Sequence, residues 1–231
     1  MAYASLRDFI DRLEKTGRLV RVKEPVSSVL EMTEIQTRVL AEGGPAILFE
    51  NVIKADGTPS EMPVLVNLFG TVERVAWGMN KEPGELRDIG ETLAFLRQPE
   101  PPGGWREALE MLPLLKTVMA MKPKDANTAY CQEIVLTGDD IDIGRLPIQT
   151  CWPGEPAPLI TWPLVVTKGP GSDKRDAYNL GIYRMQVTGK NTTLMRWLKH
   201  RGGAQHHQRW KSEKPEPLPA AVVLGADPGV I

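Results

Sequence analysis

The chain is 231 residues long, 42% hydrophobic and 25% charged, with a formal net charge of -1. That balance suits a soluble globular protein with one large domain or two modest ones, and it excludes the strong basic field that non-specific nucleic-acid binding needs. No apolar run reaches the ~18 residues that span a bilayer, the start has no basic-then-apolar signal pattern, and the two cysteines, Cys131 and Cys151, lack zinc-ribbon or CxxC spacing, so reduced cytosolic thiols are expected.

Ser5 predicts a helix start, with Asp8 as its capping partner; Leu6, Phe9, Ile10 and Leu13 form one apolar face and Gly17 a stop. Leu19–Val22 reads as a strand ending before Pro25. A second helix is expected over Glu31–Ala41, with Ile35, Val39 and Leu40 toward the core and Gly43-Gly44 as its end. Ala46–Phe49 and Pro63–Phe69 read as buried strands, and Thr71–Trp77 and Glu85–Leu96 as helices, which together make a small α/β module over residues 1–97. The Pro/Gly-rich break Gln98–Gly104 opens a connector, residues 98–128, carrying one helix over Trp105–Met121.

From residue 129 on the pattern changes to strands. Glu133–Thr137, Leu159–Lys168, Tyr178–Thr188 and Thr193–Leu198 are separated by Gly-rich turns, as in an antiparallel sheet or barrel. Ala204–Trp210 reads as a short helix and Ala220–Leu224 as a buried strand. The fold class expected is α+β: an α/β module followed by an incomplete split β-barrel over residues 129–231.

Motifs for phosphate loops, GxSxG elbows and HExxH helices are absent. The densest chemistry lies in Asn179-Leu-Gly-Ile-Tyr-Arg184 and Met195-Arg-Trp-Leu-Lys-His-Arg-Gly-Gly203. Arginines bind phosphate or carboxylate bidentately, glycines admit close backbone approach, and Tyr and Trp offer flat faces for a ring. On pattern alone, a solvated basic face with a structural histidine explains the same residues.

The resemblance to a family is more specific. Thr150-Cys-Trp-Pro153, Ala157-Pro-Leu-Ile-Thr-Trp162, Asn179-Leu-Gly-Ile-Tyr-Arg184, Met195-Arg-Trp-Leu198 and His200-Arg-Gly-Gly203, supported by Gly43–Asn51, Pro63–Gly70 and Gly138–Asp142, resemble the UbiD family of decarboxylases across essentially the whole chain. The resemblance implies a prenylated-FMN cofactor in a split barrel, and a divalent metal, usually Mn2+, bridging the cofactor phosphate to protein. It places the metal ligands on Asn179 and His200. Cofactor contacts fall on Ile182, Tyr183, Arg184, Arg196, Trp197, Leu198, Arg201 and Gly202, and Arg184 doubles as the catalytic arginine facing the substrate carboxylate. The implied reaction is non-oxidative decarboxylation of 4-hydroxy-3-polyprenylbenzoate in ubiquinone biosynthesis. The implied partners are an aromatic acid with a prenyl tail and, for full-length relatives, further copies of the same chain, with no nucleic acid. A cytoplasmic location is expected, with peripheral contact at the inner face of the cell membrane favoured by a lipid-tailed substrate.

The family's third metal ligand, a Glu, and its acidic proton donor fall past Ile231. The expectation is therefore a chain inactive by itself. A non-catalytic flavin-binding fragment, half of a split enzyme, and a split-barrel flavin reductase are the competing readings.

Overall fold

The computed structural model describes residues 3–98, 103–120, 127–171 and 178–231. The chain divides into two compact units, Met1–Pro83 with Gly138–Ile231, and Gly84–Thr137.

In the first unit, α1 (Leu6–Lys15) starts where the capping pattern predicts: the Asp8 carboxylate accepts from the amides of Ser5 at 3.1 Å and Ala4 at 2.8 Å. Gly17 takes the left-handed conformation, φ 69°, that ends the helix. β1 (Leu19–Val22) pairs in parallel with β3 (Ala46–Phe49), which pairs antiparallel with β5 (Val64–Val66). Successive residues of β3 face opposite ways. Ala46 and Leu48 therefore join Tyr3, Phe9, Leu13 and Leu19 under α1, while Ile47 and Phe49 join Val26, Met32, Val52 and Val66 under α2 (Glu31–Ala41). A strand buried on both faces reads as an unbroken apolar run, and β3 does.

Three expectations for this module need correction. Leu40 is 43% exposed, and Met32 is the α2 residue wholly in the core. The strand expected over Pro63–Phe69 stops at Val66, because Asn67 turns left-handed (φ 55°). A short parallel pair, β2 (Val26–Ser27) with β4 (Val52–Ile53), was not foreseen; two-residue strands carry no readable alternation. α3 (Val72–Gly78) forms where a helix was expected over Thr71–Trp77, with Thr71 as its cap, the hydroxyl accepting from the Arg74 amide at 3.3 Å. Arg74 itself is buried, its guanidinium donating to the carbonyls of Gly44 at 2.9 Å, Leu68 at 3.1 Å and Asn67 at 3.1 Å. That knot ties α3 to the turns ending α2 and β5.

The remaining strands of this unit form two three-stranded antiparallel sheets. One has the order β10 (Thr192–Met195), β9 (Met185–Gly189), β6 (Leu159–Ile160); the other β11 (Ala220–Val223), β7 (Leu164–Lys168), β8 (Tyr178–Ile182). The α+β class stands, but among the described residues no closed barrel is formed. The single strands expected over Leu159–Lys168 and Tyr178–Thr188 are each two. Thr161–Pro163 and Tyr183-Arg184 are the points where the chain crosses from one sheet to the other. Pro163 cannot donate to a ladder and stands just before β7, where none is asked of it. β11 is an edge strand with every residue exposed, which corrects its reading as buried. α7 spans Gly202–Glu213, longer than the Ala204–Trp210 expected: it begins at the two glycines and runs three residues past Trp210. It packs on β7 and β8, with the His206 Nδ1 bonded to the buried Thr167 hydroxyl at 2.9 Å.

The module and the sheets meet through backbone bonds: the Leu30 amide donates to Thr150 O at 2.9 Å and the Thr150 amide to Ser28 O at 3.0 Å.

The second unit holds α4 (Leu86–Arg97), α5 (Trp105–Glu110) and α6 (Leu112–Ala120). One helix was expected over Trp105–Met121. It breaks at Met111, since Pro113 has no amide proton for the Leu109 carbonyl and its ring crowds that carbonyl. Met121 and residues 99–102 of the Pro/Gly-rich break lie outside the described residues. The strand expected over Glu133–Thr137 is irregular chain after a 3-10 turn at Tyr130–Gln132. Ile134 and Val135 are 79% and 68% exposed, and among the described residues no strand pairs with them.

Candidate functional site

β8 is the edge strand of its sheet, and alternation along it sets the site. Asn179 and Gly181 face α7 while Tyr178, Leu180 and Ile182 face away, matching the exposure pattern. The register places Asn179 opposite Thr167, whose hydroxyl holds His206 of α7. Asn179 thus lies on the covered face, beside the start of the helix. The contact is close: a Cβ added to Gly202 would collide with the Asn179 amide oxygen, and one added to Gly203 would stand 3.0 Å from the Trp197 ring. The missing side chain of Gly202 lets α7 begin this near to β8, and that of Gly203 leaves room for Trp197.

The two residues after β8 complete one wall. Tyr183 packs its ring edge-on to Trp197 at 5.8 Å, and its oxygen accepts from Asn179 Nδ2 at 3.4 Å and from the Gly203 amide at 3.2 Å. Gly181 makes room for that ring, because a Cβ there would lie 2.8 Å from it.

A cavity of about 900 Å3 opens along this edge, lined by Thr161, Trp162, Asn179–Arg184, Arg196, Leu198, Arg201 and Gly202. Both faces of β8 contribute, since the cavity wraps the strand's free edge. Arg184, Arg196 and Arg201 all line it, and the α7 N-terminus adds the positive end of a helix dipole. Among the described residues no carboxylate lines it. Such a set holds an anion and orients a flat ring; the positive field calls for a ligand that brings negative charge.

Of the residues singled out in the sequence, Asn179, Ile182, Tyr183, Arg184, Arg196, Leu198, Arg201 and Gly202 line this cavity together. Trp197 and His200 do not. Trp197 stands behind Tyr183, with its indole N–H buried and without an acceptor. His200 is exposed in the turn before α7, and its carbonyl accepts from Gln205 Nε2 at 3.2 Å. Thr161, Trp162, Leu180 and Gly181 stand in stretches quoted from the sequence but were given no site role. The signal for the first two was the proline that splits an otherwise continuous apolar strand.

The fit to a phosphate-bearing ring is supported by the glycine cradle and the three arginines. The fit to a divalent cation is narrower. The Asn179 oxygen is one suitable donor, but three guanidiniums repel a bare cation, and among the described residues no cluster of three His, Cys, Asp or Glu is found. A cation fits here only with an anionic ligand beside it.

Cys151, in the loop before β6, is buried, which pushes its thiol up; a Thr33 bond lowers it, the nearby Glu155 raises it and Arg184 lowers it. The Glu155 carboxylate accepts from the Cys151 amide at 2.7 Å and fixes that loop.

A second cavity, of about 660 Å3, shares Thr161 and Trp162 with the first. Its walls are chiefly apolar, among them Leu6, Leu40, Phe69, Ile148, Ile160 and Leu224. Trp162 stands between the two, its ring tilted against Phe69 at 5.8 Å.

Two family models match the chain. The 3-octaprenyl-4-hydroxybenzoate carboxy-lyase N-terminal domain matches residues 10–93, and the UbiD 3-octaprenyl-4-hydroxybenzoate carboxy-lyase Rift-related domain matches residues 122–231. Among solved structures, vanillic acid decarboxylase of Sedimentibacter hydroxybenzoicus in its closed form is 25% identical with a TM-score of 0.75, over 99% of this chain and 44% of that one. The UbiD-class enzyme HmfF of Pelotomaculum thermopropionicum, in complex with FMN, is 24% identical with a TM-score of 0.73, over 96% of this chain and 43% of that one. The apo 3,4-dihydroxybenzoic acid decarboxylase of Klebsiella pneumoniae is 21% identical with a TM-score of 0.71, over 97% of this chain and 43% of that one. The last two likenesses bear on the fold. The chain spans less than half the length of these structures.

Proposed function

The chain belongs to the UbiD family of carboxy-lyases, and from that membership we propose that its basic cavity holds the phosphate and ring of a prenylated flavin for the decarboxylation of an aromatic acid. One observation carries the reading: three arginines, a glycine-cradled helix start and an asparagine oxygen converge on one cavity at the edge of β8.

When bound, the flavin supplies the electron sink for the charge left on the ring as CO2 departs. The chain's own residues bind and orient. Arg196 and Arg201 hold the phosphate, and Gly202 lets it approach the first turn of α7. Ile182 and Leu198 give the ring apolar contact. Arg184, at the crossing between the sheets, faces the substrate carboxylate. A divalent cation, Mn2+ in this proposal, would be held by the Asn179 oxygen and, with the turn before α7 drawn in, by His200.

The substrate proposed is 4-hydroxy-3-polyprenylbenzoate. Two of the solved relatives named above are decarboxylases of smaller aromatic acids, vanillic acid and 3,4-dihydroxybenzoic acid; what supports a prenyl tail is the apolar cavity that adjoins the basic one at Trp162. The whole protein is proposed to self-associate, as an evolved dimeric form of one relative does. Among the described residues no helix is long and apolar enough to cross a membrane; the proposed site of action is the cytoplasm, with peripheral membrane contact through the lipid-tailed substrate.

The test is differential. The chain is titrated with FMN and with riboflavin, which differ only in the phosphate. Tighter binding of FMN by tenfold or more, abolished in Arg196→Met/Arg201→Met, is expected. Equal affinity for the two flavins would remove the phosphate site. CO2 release from the prenylated substrate, assayed with prenylated FMN and Mn2+, then tests the reaction assigned to the whole protein.

A further inference from the structure

Trp162 lines both cavities, and the two differ sharply in chemistry. The basic one carries three arginines; among the described residues no charged side chain lines the apolar one. The indole is 50% exposed, so much of its surface is open to a ligand, yet its place is fixed from two sides. Along the chain, Trp162 stands in the short crossing from β6 to β7, directly before the wholly buried Pro163, whose ring restricts the backbone of the residue ahead of it. Through space, it leans on Phe69 at 5.8 Å; Phe69 stacks on the buried Phe9 at 6.2 Å, and Phe9 meets Tyr3 at 5.1 Å. Gly78 admits the Phe69 ring, since a Cβ there would stand 2.9 Å from it. Four rings thus run from the core under α1 to the boundary between the cavities.

We infer that Trp162 is a specificity-determining residue: a fixed divider over which the apolar tail of an aromatic acid passes, with the first isoprene unit lying against the indole. The carboxylate and ring stay on the arginine side, and the rest of the tail enters the apolar cavity. This rests on the aromatic-acid reading above and assigns its preference for a tail to one side chain. Two cavities with a shared wall act on one ligand as linked sites: once the ring is held, the tail meets its own site at high local concentration. Each apolar group that leaves water on the indole and beyond it then adds affinity. A tail-less acid leaves that surface wet and gains nothing from it. The amino-terminal module takes part as well, because Phe69 holds the divider and Leu6 and Leu40 wall the cavity behind it.

Two measurements test this. The first uses the flavin-free chain labelled with 5-fluorotryptophan, in which the Trp162 fluorine resonance is the one lost in Trp162→Phe. Geraniol, a tail without an acid, is expected to shift that resonance. Leu40→Glu, which sets a charge on the wall of the apolar cavity at a position 43% exposed, is expected to weaken geraniol binding tenfold or more. No shift, or a shift that Leu40→Glu leaves unchanged, overturns the inference. The second compares 3-geranyl-4-hydroxybenzoate with 4-hydroxybenzoate by calorimetry on the FMN-loaded chain. The geranyl acid is expected to bind at least tenfold more tightly. Trp162→Ala should cut that preference below threefold, whereas Trp162→Phe, which keeps a flat ring, should hold it above fivefold. A preference unchanged in Trp162→Ala, or none in the native chain, overturns the inference. The flavin reading fails separately, by equal affinity for FMN and riboflavin, and leaves the fluorine result standing.

Discussion

Replacing Gly202 by alanine separates the stability of this region from its binding. The residue opens α7, and its backbone is not left-handed, so alanine fits the local conformation. Helix propensity then favours alanine by up to about 1 kcal/mol, less at the first position. Against this, the added Cβ overlaps the Asn179 oxygen and lies 2.8 Å from its Cγ. Asn179 must turn away. An off-rotamer side chain costs about 0.5–1.5 kcal/mol, and losing its bond to Tyr183 about 1 kcal/mol. The net loss of stability is roughly 0.5 to 2.5 kcal/mol, or at most about 10 °C in Tm for a chain of this size. The methyl group, however, sits in the cradle itself and displaces the amide oxygen, so FMN affinity should fall tenfold or more, about 1.4 kcal/mol. Thermal melts and FMN titration measure the two quantities side by side. Gly203→Ala is the comparison: its Cβ would press on Trp197 at 3.0–3.2 Å, away from the cavity lining, and should lower Tm more than it lowers affinity. FMN affinity within twofold of the native chain in Gly202→Ala would refute the cradle, and so would a Tm loss above about 10 °C, since the glycine would then be a packing residue.

Arg74→Met removes the donor to three carbonyls, at roughly 1 kcal/mol or more each; a urea midpoint shift corresponding to about 3 kcal/mol is expected, with α3 loosened from the Gly44 and Asn67 turns. Cys131 is exposed and Cys151 buried with a raised pKa, so iodoacetamide should modify Cys131 quickly and Cys151 only on unfolding, as mass spectrometry of the native chain can read. Burial, followed by the nearby Arg209 charge, holds His206 below its ordinary pKa. The unfolded chain then takes up this proton first as pH falls through the ordinary histidine value near 6.5. Stability should decline as pH drops from there through the folded pKa, and stay flat above it. His206→Asn, which keeps a partner for the Thr167 hydroxyl, should lessen that slope in urea titrations between about pH 5 and 8.

Much of the amino-terminal module was legible because its signals are local. The Ser5–Asp8 cap, the Gly17 and Gly43 stops and the apolar run Ala46–Phe49 each depend on neighbours within a turn or a strand. The site segments were legible as motifs, because the arginines, glycines and aromatics that suit an anionic ring stand in two short stretches. Their convergence was not. Asn179 and Gly202 are brought into contact only when β8 and α7 pack face to face, and the exclusion of Trp197 and His200 from the cavity lining depends on how the turn before α7 bends. Glu133–Thr137 shows the opposite error: β-branched, apolar residues favour a strand, yet with no partner strand among the described residues to complete the ladder the segment is irregular.

The sequence by itself thus determined which segments could be helix or strand, and which stretch carried the chemistry, since propensity, capping and residue type act over short range. Only the tertiary structure decided which strands share a sheet, where the chain crosses between sheets, and which way the Asn179 amide turns. Those depend on hydrogen bonds and close contacts between residues far apart along the chain, and no local pattern encodes them.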